Sequence, residues 1–224
     1  MPPRIMFTGK LRPAQFEFPC CDPCNQETKH SDLLAAFLGR LLPDSETNLE
    51  KEDVRKILRA LANNLPSVLN EMHIGHAGQK LARKRTGVEE PGGFLRMGGP
   101  LVSKHLDIFA CKLGLAMHWA STGNIIPPMG GVAIRVYSNV EAMEGKLPVG
   151  LLRLLPAPQT LRQGSWDVEN QFQYSIRITD DQTMGLFYAT FRRSFGIAAV
   201  TAMDRRLFEK RIDPVFSPAE PWKH

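Results

Sequence analysis

Long apolar runs are missing from this sequence. No stretch reaches the roughly 18 apolar residues that a membrane-spanning helix needs, so we expect no transmembrane segment and no membrane partner. The N-terminus is polar and rich in proline, which is not typical of a signal peptide. Together these absences predict a soluble, cytoplasmic protein.

Cysteine is also scarce, with 4 residues in a chain of 224. So few cysteines in so long a chain exclude the disulfide framework of small secreted domains. The sequence has no Walker phosphate loop, no G-x-S-x-G elbow and no H-E-x-x-H motif. It therefore offers no support for a P-loop nucleotide hydrolase, an α/β-hydrolase or a zincin metalloprotease.

What is present is a cluster near the start: Cys20, Cys21 and Cys24 lie within five residues. The spacing of Cys21 and Cys24 lets two thiolates converge on one tetrahedral zinc ion, and Pro23 stiffens the segment between them. A complete structural zinc site needs four ligands, and only this pair has the required spacing. Cys20 points the other way if the preceding segment is extended, and Cys111 lies in an apolar run typical of a buried helix. We therefore predict that Cys21 and Cys24 form half of a structural zinc site.

A Cys-x-x-Cys pair can also carry out thiol–disulfide chemistry. Such a motif normally follows a strand, opens a helix and belongs to a βαβ unit. Here an extended run and a helix flank the pair, but no βαβ pattern surrounds them. The zinc interpretation is therefore favoured.

The order of extended segment, Cys-x-x-Cys-Asn, polar residues and helix resembles the second half of an HNH-type nuclease module, also called ββα-metal or treble-clef. Cys21, Cys24 and Asn25 match the end of that module, and Lys29 and Asp32 match the polar start of its helix. The phrase at residues 12–19, Arg-Pro-x-x-Phe-Glu-Phe-Pro, is similar to that of uncharacterised bacterial proteins with such a module. The resemblance covers about residues 1 to 42.

The resemblance implies metal-dependent hydrolysis of DNA phosphodiesters. In the family a histidine activates water, and a carboxylate with a late His or Asn holds a divalent metal such as Mg²⁺. Asn25 takes that late position, so the resemblance makes it the candidate catalytic residue. The family's first cysteine pair and its Asp-His are absent here, and Met1 falls where the segment after that histidine would lie. Either the chain begins inside the module, which we favour, or it is a degenerate descendant of it. In both cases we expect little or no cleavage.

Basic residues supply candidate DNA contacts. The chain has a net charge of +5, and its densest basic run includes Arg83, Lys84 and Arg85. With Lys29, these residues are the candidates to meet phosphates, although a mobile surface linker is the favoured explanation of the basic run. The alternative function is therefore a non-catalytic module with a structural cysteine knuckle that binds nucleic acid or protein.

Hydrophobic periodicity predicts an α+β fold. It comprises a partial treble-clef-like N-terminus, a helical middle and a C-terminal antiparallel sheet packed on a buried helix. We expect two segments, residues 1–42 and 43–224. The predicted helices cover residues 30–42, 50–63, about 66–72 and 101–121. The predicted strands cover residues 132–137, 147–155, 172–178, 184–191 and 195–203.

Overall fold

The computed structural model describes residues 1–14, 17–41, 47–86, 94–208 and 215–218. Its helices are α1 (Asp22–Gly39), α2 (Asn48–Asn64), α3 (Pro66–Met72), α4 (His76–Thr86), α5 (Pro100–Thr122), α6 (Asn139–Met143) and α7 (Val149–Leu152). Its strands are β1 (Gly131–Ser138), β2 (Arg162–Gln163), β3 (Trp166–Asp167), β4 (Phe172–Ile178), β5 (Met184–Phe191), β6 (Phe195–Ala202) and β7 (Val215–Phe216). Within this described part, no helix combines the length and apolarity needed to cross a bilayer.

The long helix α5 forms the centre of the fold. Apolar residues surround it, and every residue from Ile108 to His118 is buried. It ends at Gly123, which adopts a left-handed conformation with φ of 72° and donates its backbone N–H to Trp119. Burial on several sides is what the apolar run predicted for this helix.

The sheet that packs on α5 has five strands in the order β4-β5-β6-β1-β7, and all neighbours are antiparallel. The helix approaches the sheet closely at Gly114, where an added Cβ atom would lie 3.1 Å from the Cβ of Ala199. One edge strand, β7, contains only two residues. At the other edge, Gln159 forms a bridge to Tyr174 of β4. These features confirm the predicted α+β fold with an antiparallel sheet packed on a buried helix.

Helix α1 begins earlier than the sequence predicts, at Asp22 rather than near residue 30. The Cys-x-x-Cys pair is therefore the first turn of the helix and not a turn before it. Cys21 is the N-cap residue, and its Sγ accepts a hydrogen bond from the backbone N–H of Cys24 at 3.4 Å. Pro23 lies in the first turn, where its missing N–H leaves no helical hydrogen bond unmade.

Two other segments differ from their predicted form. The strand predicted over residues 147–155 is wrong, because residues 149–152 form the short helix α7 behind Pro148. The basic run up to residue 86 belongs to helix α4, so that part of it is not a linker. Residues 87–93, which follow the basic run and contain Gly87, Pro91, Gly92 and Gly93, lie outside the described residues.

A buried ionic cluster links the N-terminal segment to helix α2 and to the turn between β5 and β6. The guanidinium of Arg40 lies 2.8 Å from the carboxylate of Asp53 and donates to the backbone carbonyl of Phe7 at 3.1 Å. Arg192, in the turn between β5 and β6, pairs with Glu50 of α2. Because each partner comes from a different part of the chain, this ionic cluster fixes how those parts pack.

Candidate functional site

The candidate site starts at the N-terminus of α1, where Cys21 and Cys24 meet. Their Sγ atoms lie 2.8 Å apart, within hydrogen-bonding distance, and neither cysteine forms a disulfide. Cys21 is exposed and Cys24 is partly exposed. The predicted convergence of the two thiols is therefore present, and a helix leads away from them.

The contact between the two thiols separates their acidities. The hydrogen bond with Cys24 lowers the pKa of Cys21, and the backbone N–H of Cys24 adds to the effect. The same hydrogen bond raises the pKa of Cys24 to about 11, because Cys24 is the donor once Cys21 has ionised. Cys21 is therefore the first of the pair to become a thiolate.

The two sulfurs offer half of a zinc site. Tetrahedral Zn–S bonds of about 2.3 Å place two cysteine sulfurs about 3.8 Å apart, so the pair needs to open slightly to hold the ion. Cys20 does not join them, since its Sγ lies 3.6 Å from the carbonyl of Cys21. Cys111 is fully buried in α5, as the sequence predicted. Among the described residues, no group of three or more His, Cys, Asp and Glu side chains could hold a metal ion.

Asn25 and Lys29 lie one helical turn apart on α1 and face the same cavity. This α1 cavity has a volume of about 480 Å³. Its described lining also includes Gln26, His30, Asp32 and Leu33 of α1, with Ile5 and Asn64 opposite. An amide, an ammonium, an imidazole and a carboxylate therefore open onto one small volume beside the cysteine pair.

Sequence reasoning missed the ion pair that anchors this part of α1. Lys112 of α5 donates from Nζ to Oγ1 of Thr28 and to Oδ2 of Asp32, both at 2.7 Å. Burial raises the pKa of Asp32, and the nearby Lys112 only partly offsets this effect. Lys112 lies within an apolar run of the sequence, and spacing alone could not identify its partners.

A histidine of α5 also contacts α1 in this region. His105 is 3.0 Å from the hydroxyl of Ser31 through its Nδ1 atom. Burial lowers the pKa of His105, and the charge of the nearby His30 adds to the effect by repulsion. The packing of α1 on α5 therefore biases the His105 ring toward its neutral form.

The other predicted DNA contacts lie elsewhere. Arg83 and Lys84 are exposed on α4, and neither is among the described residues that line the α1 cavity. The side chain of Arg85 falls outside the described set. The structure therefore brings Lys29, but not Arg83 or Lys84, beside Asn25.

Comparison of the chain with protein-family models, curated proteins and solved structures finds no match. The function proposed for it therefore depends on the geometry of its own residues.

Proposed function

We propose that the chain is an HNH-endonuclease-like protein, related to enzymes that hydrolyse DNA phosphodiesters with a divalent metal. The observation that carries this proposal is the convergence of the Cys21 and Cys24 sulfurs at 2.8 Å in the first turn of α1. Asn25 follows immediately and opens onto the α1 cavity beside Lys29. This is the order that the nuclease module requires of its second half.

Each residue has a distinct role in the proposal. Cys21 and Cys24 hold a structural zinc ion, and the side-chain oxygen of Asn25 is the ligand offered to a divalent ion such as Mg²⁺. Such an ion supplies Lewis-acid stabilisation of the leaving oxygen when it is bound. Lys29 contributes a point charge for a phosphate oxygen. The family's general base is missing from the sequence, so we expect DNA binding with little or no cleavage.

Zinc content tests the cysteine part of the proposal. Protein purified under reducing conditions should contain zinc that a chromogenic chelator removes, and Cys24→Ser should lose it. Cys20→Ser is the matched control and should retain the metal, because among the described residues Cys20 forms no three-ligand group with the pair. Zinc-free wild-type protein that also fails to take up added Zn²⁺ would contradict this part.

DNA binding tests the role of the α1 cavity. Fluorescence anisotropy with a short duplex should give an affinity that falls as salt rises, by about one unit of logarithmic slope for each phosphate contact. Lys29→Ala should reduce that slope by about one, whereas Arg153→Ala, at an exposed position outside this cavity, should not. Binding that does not depend on Lys29 would favour the alternative of a structural cysteine knuckle.

A cleavage assay tests whether the chain is an active nuclease or only a relative of nucleases. Plasmid nicking with Mg²⁺ should be absent or very weak in this chain. Nicking that Asn25→Ala abolishes would show that the chain supplies its own base, contrary to the proposal. In-frame codons for a Cys-x-x-Cys and an Asp-His upstream of the Met1 codon would support the nuclease lineage independently.

A further inference from the structure

A second and larger cavity lies between α4, residues 94–98, α5 and the junction of β1 with α6. Its volume is about 780 Å³, within the range of roughly 300 to 1,000 Å³ that is typical of small-molecule sites. Its lining combines apolar side chains with charged ones. The apolar residues include Ile74, Phe94, Met97, Leu106, Ile134 and Val136, and the described charged residues are Arg96, Asp107, Arg135 and Glu141. None of its described lining residues also lines the α1 cavity, so we name it the α5 cavity and treat it separately.

One carboxylate in the α5 cavity lacks a partner. Asp107 lies on α5 between the buried residues Leu106 and Ile108, and its own side chain is partly buried. It makes no hydrogen bond or ion pair with any described residue, and burial raises its pKa to about 6. A carboxylate that is partly removed from water and left unpaired is costly, and a bound cation would offset that cost.

The other acid of the α5 cavity is already engaged. Glu141 accepts hydrogen bonds from the backbone N–H and the hydroxyl of Ser138, at 2.9 and 3.1 Å. It also pairs with Arg135 at 3.4 Å, and the guanidinium of Arg135 lies over the ring of Tyr137. Glu141 and Arg135 therefore compensate each other at the rim. Arg96 also lines the α5 cavity, but no described cation contributes to the raised pKa of Asp107, whose cause is burial. This leaves Asp107 as the anion available to a ligand.

We propose that the α5 cavity binds a small amphipathic organic cation, whose ammonium group pairs with Asp107 while its hydrocarbon part packs on the apolar walls. The charge selects the ligand class, because an anion would meet Asp107 unfavourably and a neutral molecule would leave it unpaired. The apolar walls select a hydrocarbon body over a polar one. This site is independent of the proposed nuclease function.

Three probes of equal chain length test the proposal by isothermal titration calorimetry on the whole chain at pH 7.5. They are hexylamine, hexanol and hexanoate, which are a cation, a neutral molecule and an anion under these conditions. We expect hexylamine to bind at least tenfold more tightly than hexanol, and hexanoate to bind more weakly than both. Equal affinity of hexylamine and hexanol would overturn the proposal.

Asp107→Asn keeps the shape of the side chain and removes its charge. It should weaken hexylamine binding at least tenfold and leave hexanol binding unchanged. Glu169→Gln removes a negative charge from an exposed position outside the cavity and should change neither affinity by more than twofold. Hexylamine binding that survives Asp107→Asn would overturn the proposal.

A variant that fills part of the α5 cavity tests where the probes bind, and it does so without changing a charge. Ser103 lines the α5 cavity and is partly buried, so Ser103→Phe should occupy part of its volume. If the variant keeps the wild-type circular dichroism, it should lose hexylamine and hexanol binding together. Retention of both affinities would place the probes elsewhere and would refute the assignment.

Discussion

Two partly buried carboxylates, one on α1 and one on α5, differ in whether a neighbouring cation neutralises them. Asp32 has the ammonium of Lys112 at 2.7 Å, whereas Asp107 has no described partner. Both lie next to apolar residues in the sequence, and helical spacing alone gives no means of distinguishing them. Their difference depends on which residues from distant segments surround them, so only the structure identifies Asp107 as a candidate binding group.

Asp107 should make the protein's stability depend on pH. Its pKa is about 6 in the folded chain against 3.8 for the ordinary group, so the folded state binds more protons between those values. Wild-type stability therefore falls as pH rises through that window. We expect Asp107→Asn to be about 1 kcal/mol more stable than wild type at pH 7.5, after discounting for partial solvent exposure. The gain should be clearly smaller at pH 4, where the carboxyl is only partly ionised in the unfolded chain.

Urea unfolding followed by circular dichroism at both pH values measures this difference. Taking the difference between variant and wild type removes the contributions of all other titrating groups. A gain that is the same at pH 4 and pH 7.5 would mean that the substituted amide packs better for reasons unrelated to charge.

The cysteine pair should show unequal reactivity. Because the pKa of Cys21 is lowered and that of Cys24 is raised to about 11, iodoacetamide at pH 7.5 should modify Cys21 first. Cys111 is buried and should stay unmodified until the chain unfolds. Peptide mass spectrometry on chelator-treated protein measures the order of modification.

A variant checks that the inequality comes from the contact between the two sulfurs. In Cys21→Ser, Cys24 loses its thiolate partner, so its pKa should fall and its alkylation should accelerate. Unchanged reactivity of Cys24 in that variant would show that its slow reaction has another cause.

At the scale of elements, hydrophobic periodicity predicted most helices and strands. Residues 50–63 and 101–121 carry apolar side chains at helical spacing, and α2 and α5 form there. The start of α1 was missed because its first turns are polar and its N-cap is Cys21 rather than the usual Ser, Thr, Asp or Asn. The strand predicted over residues 147–155 was wrong because this segment is apolar but does not alternate clearly. Such a pattern cannot distinguish a strand from a short helix.

Lys112 should hold α1 against α5. Replacing it with Met keeps the apolar stem but leaves Asp32 without its cation and Thr28 without its donor. Breaking one side of a buried pair typically costs about 3 to 5 kcal/mol, and the partial exposure of Asp32 suggests the lower end. We expect Lys112→Met to lose about 3 kcal/mol in urea unfolding.

Lys104 provides the matched control, since it is an exposed lysine on the same helix. Lys104→Met should change stability by about 0.5 kcal/mol or less. The double variant Lys112→Met with Asp32→Asn should recover part of the loss. Equal effects of the two lysine substitutions would contradict an anchoring role for the ion pair.

At the scale of the whole molecule, the sequence did not specify how the segments assemble. Strand β1 pairs with β6, which is distant along the chain, and the register of that pairing arises from the fold as a whole. The ionic cluster around Arg40 is also built from distant segments. Such pairings depend on three-dimensional packing, which local periodicity does not encode.

Arg40→Met should therefore weaken the whole molecule and not a single helix. It leaves Asp53 without its buried cation and leaves Glu50 paired with Arg192 alone, at an expected cost of about 3 to 5 kcal/mol. Circular dichroism and tryptophan fluorescence should report the same lowered unfolding midpoint. Arg59→Met, on an exposed part of α2, should leave that midpoint unchanged. Two separate transitions in Arg40→Met would show that the segments unfold independently.

Among the described residues, each border of the main sheet is covered over part of its length. Strand β7 pairs with Val132 and Ala133 of β1, and Gln159 forms a bridge to Tyr174 of β4. Each of these partners interrupts the row of N–H and C=O groups that another chain would use for strand addition. A foreign peptide or a second copy therefore meets an interrupted template at both edges, which disfavours growth into a cross-β fibre.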